Sequence, residues 1–79
     1  MQVEVRVKLK DQVLDPQGEA IRRVLANLGY EEVGQVRVGK LMLLEVAGED
    51  RERVRARVEE AARELLANPV IEDFEVRLP

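Results

Sequence analysis

Neither a cysteine nor a histidine occurs among these 79 residues, and that double absence restricts the fold more than any pattern present. A domain of this length buries only about 60% of the surface its unfolded chain exposes, and cores that small are marginal without added support. Disulfides need cysteine, and a structural zinc site needs Cys or His. Association with another chain is the common device that remains.

The same absences limit chemistry. Serine and threonine are missing as well, so the usual nucleophiles, the near-neutral proton shuttle and the best transition-metal ligands are all lacking. Carboxylate, lysine or tyrosine chemistry would need a perturbed group in a deep pocket, for which so short a chain has little room. The chain reads as one that acts through a partner, with no catalytic, cofactor-binding or metal-binding residue of its own.

Apolar residues make up 46% and charged residues 37%, with both signs interleaved. That describes a single domain over residues 1–79, without linker, repeat or low-complexity segment. A net charge of -3 gives no long-range attraction for phosphate backbones, and Tyr30 and Phe74 are the only aromatic residues available for base stacking. Nucleic acid is therefore not expected as a partner. The longest apolar run, Leu41 to Leu44, falls far short of the roughly 20 residues that span a bilayer, and the N-terminus looks like a strand rather than a signal. No membrane partner and a cytoplasmic location are expected.

Gln2 to Lys10 alternates strictly, with Val3, Val5, Val7 and Leu9 on one side, which predicts a strand with one wet face. Asp15 can cap a helix beginning at Pro16. Ala20, Ile21, Val24, Leu25 and Leu28 form its apolar stripe, and Gly29 ends it in a left-handed cap. Val33–Val38 and Leu41–Val46 read as two strands joined by a Gly39-Lys40 hairpin turn. Asp50 caps a second helix whose stripe is Val54, Val58, Ala61, Ala62, Leu65 and Leu66. Asn68, in the left-handed conformation, and Pro69 stop it. A last strand turns Phe74, Val76 and Leu78 inward.

The predicted fold is thus α+β, with a ferredoxin-like β-α-β-β-α-β order and two helices on one face of an antiparallel sheet. If Gly39 marks a bulge instead of a turn, the middle strands become one long bent strand and the sheet has three strands per chain. Either way Leu41 and Leu43 form a second apolar sheet surface that the two helices cannot also cover, and these two residues are assigned to self-association.

Other constellations have plainer accounts. Arg51, Arg53, Arg55 and Arg57 are scattered around the helix among glutamates and read as a solvated face. Gly39-Lys40 lacks the upstream spacing, following Ser or Thr, and helix of a phosphate-binding loop. Gly18 is not explained by capping; close approach of another backbone would account for it.

Three segments carry a resemblance to a known family: Leu9-Lys10 with Val13-Leu14-Asp15-Pro16-Gln17-Gly18; Val36-Arg37-Val38-Gly39-Lys40; and Leu65-Leu66-Ala67-Asn68-Pro69-Val70-Ile71-Glu72-Asp73-Phe74. In order and spacing the chain resembles PurS, the small subunit of the multi-subunit phosphoribosylformylglycinamidine synthase of purine biosynthesis. The resemblance implies a part in the glutamine- and ATP-dependent conversion of formylglycinamide ribonucleotide to formylglycinamidine ribonucleotide. It implies that a separate glutaminase subunit releases ammonia and that a large synthetase subunit holds the ATP and Mg. The small subunit, as a homodimer or a tetramer, would bridge the two. Asp15, Pro16, Gln17, Gly18, Arg37, Gly39, Lys40 and Asn68 carry over as partner-contact or structural motif positions. Leu41, where an aromatic residue can follow the Gly-Lys pair, and the arginine-rich second helix depart from some relatives. An alternative on the residues alone is a dimeric small-molecule-binding regulatory module of the same fold.

Overall fold

In the computed structural model, which describes residues 1–79, the chain runs β1 (Gln2–Leu9), α1 (Pro16–Asn27), β2 (Gly39–Glu45), α2 (Arg51–Ala61), a π turn (Ala62–Leu66) and β3 (Glu72–Arg77). The strands make one antiparallel sheet in the order β2-β1-β3. Alternation in β1 turns Val3, Val5 and Val7 to the inner face, where all three are buried. Val54, Val58 and Ala62 descend on them from above, and Val76 and Ala67 close the core. Each fully buried valine contributes about 1.5 to 3 kcal/mol of apolar transfer. The α+β class follows from this arrangement, and the plan is ferredoxin-like with one strand fewer, β-α-β-α-β in place of β-α-β-β-α-β.

Both helices start where the sequence places them. The Asp15 carboxylate accepts the Gly18 amide at 2.9 Å with Pro16 in the first turn, and the Asp50 carboxylate accepts the Arg53 amide at 3.3 Å. Past the end of α1, Gly29 has φ +102°, a conformation open to glycine at little cost.

The middle of the chain differs from the hairpin expectation. Gly39 and Lys40 form no turn; they are the first residues of β2 and pair with Lys8 and Val7. Gly39 has no positive φ of the kind a tight hairpin needs. Its reason is space, because a Cβ there would come 2.7 Å from the Val7 carbonyl oxygen. Val33–Val38 finds no strand partner, so the sheet has the three strands of the bulged alternative but not its long bent strand, since β2 begins at Gly39 and pairs from there without a bulge.

Coverage of the sheet differs too. Only α2 lies on it; the α1 stripe adds no side chain to the core, and Gly18 is the one buried residue of that helix. The molecule is accordingly elongated, 49 × 25 × 14 Å.

At the end of α2, the Ala67 amide donates to the Ala62 carbonyl five residues back at 2.9 Å. The added residue in this turn rotates the stripe. Leu65, expected to face inward, is 83% exposed, and Ala61, just before the turn, is exposed as well, while Ala62 is buried and Leu66 half-buried as expected. Asn68 is not left-handed, since no residue other than glycine has positive φ. It forms a side-chain turn instead: its Oδ1 accepts the Val70 amide at 3.0 Å, and its carbonyl accepts the Glu72 amide at 2.7 Å. No helix is long and apolar enough to cross a membrane.

Candidate functional site

The motif positions separate into one polar clasp, one sheet edge and one turn. The clasp joins the start of α1 to the segment that enters β2. Asp15 is the joint: one carboxylate oxygen accepts the Gly18 amide, and the other accepts the Val38 amide at 2.8 Å. Beside it, Arg37 donates to the carbonyls of Val13 at 2.9 Å and Lys10 at 2.8 Å, using the fork of its guanidinium to hold the turn that leads from β1 to α1. Between them the Val36 carbonyl lies against Gly18 so closely that a side chain at that position has no room. Close approach of another backbone is therefore the reason for Gly18.

The amides of Gly18 and Val38, with Arg37 as a weaker influence, hold the Asp15 carboxyl below its ordinary value of 3.8. A depressed carboxylate stabilises the folded state above that ordinary value, and the contribution is lost as pH falls through the lower folded value. Glu19, hydrogen-bonded by Arg22, and Glu75, hydrogen-bonded by Arg77, are lowered in the same direction. Stability is thus expected to fall as pH drops below about 4. Denaturant titrations of Asp15→Asn across pH 2 to 7 should show a shallower acid limb than the wild type, with the remaining slope due to the two glutamates. An unchanged limb would mean that Asp15 is not bound to these amides in solution.

The other positions are less tightly held. Pro16 and Gln17 are exposed at the entrance to α1. Gln17, Asp15, Gly39 and Lys40 do meet around one shallow hollow of about 320 Å3 that Glu72 also lines. Lys40 is mostly exposed, with its Nζ 3.9 Å from a Glu72 carboxylate oxygen. Asn68 stands apart in the turn before β3.

Leu41 and Leu43 are both 58% exposed, while their neighbours Met42 and Leu44 are partly buried against the core. Ile21, Val24 and Leu28, read from the sequence as a buried stripe, are also exposed, because α1 stands off its own sheet. Their signal was already present in a sequence with more apolar surface than two helices and one sheet can bury. Arg51 and Arg55, read as solvated, also do more: they donate to the carbonyls of Pro79 and Val76. Chemically the assembled site positions backbone and apolar surface. No group of three or more acidic residues is placed to hold a metal ion.

Residues 2–79 match the PurS family, described as phosphoribosylformylglycinamidine (FGAM) synthase. A subunit of that name from Methanocaldococcus jannaschii is 43% identical over 74 residues, covering 94% of this chain and 89% of the relative. Its Bacillus subtilis counterpart is 47% identical over 72 residues, covering 91% and 84%. Among solved structures, B. subtilis PurS in a C2 crystal form superposes with a TM-score of 0.86 at 45% identity, covering 96% of this chain and 94% of the other. A chain in the structure of PurLQS from Thermotoga maritima gives 0.88 at 41% identity, covering 96% and 93%. A family match over residues 2–79, with these identities over nearly the whole length, makes this chain a member of the PurS family.

Proposed function

We propose that this chain is the non-catalytic small subunit of FGAM synthase, acting as a homodimer that bridges the glutaminase and the ATP-dependent synthetase and supports passage of ammonia between them. The observation that carries this reading is the family match over residues 2–79 together with the likeness to a chain of the T. maritima PurLQS structure. As a PurS protein it is a subunit of a ligase complex of purine biosynthesis. ATP and Mg belong to the large subunit in this reading, and a cytoplasmic location goes with it. The homodimer is supported by the bare stripe of α1 and the exposed Leu41 and Leu43. Partner contacts at Asp15, Pro16, Gln17, Gly18, Arg37, Gly39, Lys40 and Asn68 are part of the same proposal, with Asp15, Gly18 and Arg37 acting through the backbone they hold.

The test is synthesis of formylglycinamidine ribonucleotide by the large and glutaminase subunits, with and without this chain, on glutamine and on ammonia. Glutamine-dependent synthesis is expected to collapse without the chain while ammonia-dependent synthesis persists. Equal rates with and without the chain would overturn the reading. Loss of the ammonia-dependent rate as well would overturn its coupling part.

A further inference from the structure

We infer that Arg51 and Arg55 of α2 block the outer edge of β3: their guanidinium groups stand where the backbone of an added strand would lie, and without them the β3 edge of a second copy would pair here. Neither the proposed function nor any other mode of self-association is needed for this.

Hydrogen-bond phase identifies the outward groups. β3 is an outer strand, paired on one side only. The Lys10 amide donates to the Ile71 carbonyl at 2.9 Å, in the register that continues through Lys8 with Asp73, Arg6 with Glu75 and Glu4 with Arg77. Bonded and non-bonded pairs alternate along an antiparallel ladder, so these pairs are the bonded ones, and Glu72, Phe74 and Val76 turn their N–H and C=O groups away from β1. An exposed row of this kind is a template for another strand. It is also complementary to itself when turned about a two-fold axis, so the strand most readily added is β3 of a second copy.

Both ends of the row are taken by the chain itself. At the start, the Glu72 amide donates to the Asn68 carbonyl at 2.7 Å. At the far end, Arg55 Nη1 donates to the Val76 carbonyl at 3.0 Å. Neighbouring strands lie about 4.7 to 4.9 Å apart, so this nitrogen occupies the place of an incoming amide, and the rest of the guanidinium fills the space of the backbone behind it. Just past the strand, Arg51 takes the carbonyl of Pro79, a residue with no N–H to offer. Only Phe74 keeps both of its outward groups free.

Two observations set this apart from a solvated arginine or a simple tie between helix and strand. Glu52 and Glu59 lie three residues before and four residues after Arg55, at ion-pair spacing on the helix, yet its guanidinium turns to the Val76 carbonyl. The helix is already seated by Val54, Val58 and Ala62 on the buried valines of β1, so it does not need the arginines to dock. Arg51 and Arg55, one turn apart, share the flank of α2 that looks over β3, and both reach past the buried stripe to carbonyls at that edge.

Sedimentation and amide exchange followed by NMR, both on the full chain, test this with the double variant Arg51→Ala/Arg55→Ala. Alanine favours the helix, so α2 is retained. Arg53→Ala/Arg57→Ala removes the same charge from the same helix without touching the β3 carbonyls, and serves as the control. In the wild type the Phe74 and Val76 amides are expected to exchange fast. The double variant should form a species of about twice the wild-type mass or more, with those two amides now slow, while the control keeps the wild-type mass. Slow exchange of Phe74 and Val76 in the wild type would overturn the block, because the edge would already be paired. A double variant of wild-type mass, or a larger species in which these amides stay fast, would overturn it as well. Growth of the control to the same extent would assign the effect to lost charge and not to the edge. Failure of the double variant to fold would make the arginines ties that the fold requires, and this too would overturn the proposal.

Discussion

Replacing Gly18 by alanine is expected to lower stability by about 2 kcal/mol, the opposite of what helix propensity predicts. Alanine in a helix is favoured over glycine by about 1 kcal/mol, so the preference alone would stabilise α1. The added Cβ, however, falls on the Val36 carbonyl, well inside contact with its oxygen and 2.9 Å from its carbon, and 3.1 Å from the Asp15 Cγ. None of these is the free end of a flexible side chain. Relief requires the segment 36–38 to leave α1, which breaks the bond from the Val38 amide to Asp15 as well. In a domain of this size each kcal/mol shifts Tm by about 4 to 8 °C, so a drop of about 10 °C is expected in a thermal melt. Gly34→Ala is the matched control, because a Cβ there meets nothing within 4 Å, and its effect should stay within about 0.5 kcal/mol. An unchanged or higher Tm for Gly18→Ala would mean that the backbone of residues 36–38 does not rest on α1 in solution.

What could be read from the sequence was whatever depends on local order. Strict alternation gave β1, Asp15-Pro16 and Asp50 gave both helix starts, and Gly29 gave the end of α1, because each of these is settled within a few residues. Errors arose where a local signal was outweighed by distant backbone. Gly39-Lys40 has the composition of a hairpin turn, yet the glycine is there because Val7 passes close by. Asn68 has a left-handed propensity that yields to its own side-chain turn once Glu72 is near. The stripe Val54, Val58, Ala61, Ala62, Leu65, Leu66 was followed at a constant period; Val54, Val58 and Ala62 are buried, but the π turn leaves Leu65 exposed. Arg51 and Arg55 looked solvated because the carbonyls they bind lie more than twenty residues away. Asp15 and Arg37 are similar: the residue types suggest a cap and a surface charge, while the bonds they make across 23 to 27 residues appear only in the fold.

Converting Val24 and Leu28 together to aspartate is expected to abolish self-association while leaving the core of the single chain folded. A helix of twelve residues is marginal in water unless its apolar face is covered. Yet Val24 is 55% and Leu28 69% exposed, one turn apart on the same stripe, and neither belongs to the core. Something outside the single chain must therefore supply the cover, and a second copy has a sheet face over which only one helix lies. An unpaired carboxylate at a dry contact costs several kcal/mol, and each 1.4 kcal/mol is tenfold in affinity, so association should weaken by at least about 100-fold. Because a dimer is stabilised by mass action, the wild-type Tm should rise with protein concentration, while that of the double variant should not. A variant that sediments like the wild type would show that the stripe faces solvent in the assembly. A variant that no longer folds at any concentration would show that α1 packs on its own sheet. The expected outcome, a folded monomer, separates the helix that builds the dimer from the helix that builds the core, a division the even spacing of apolar residues in both helices conceals.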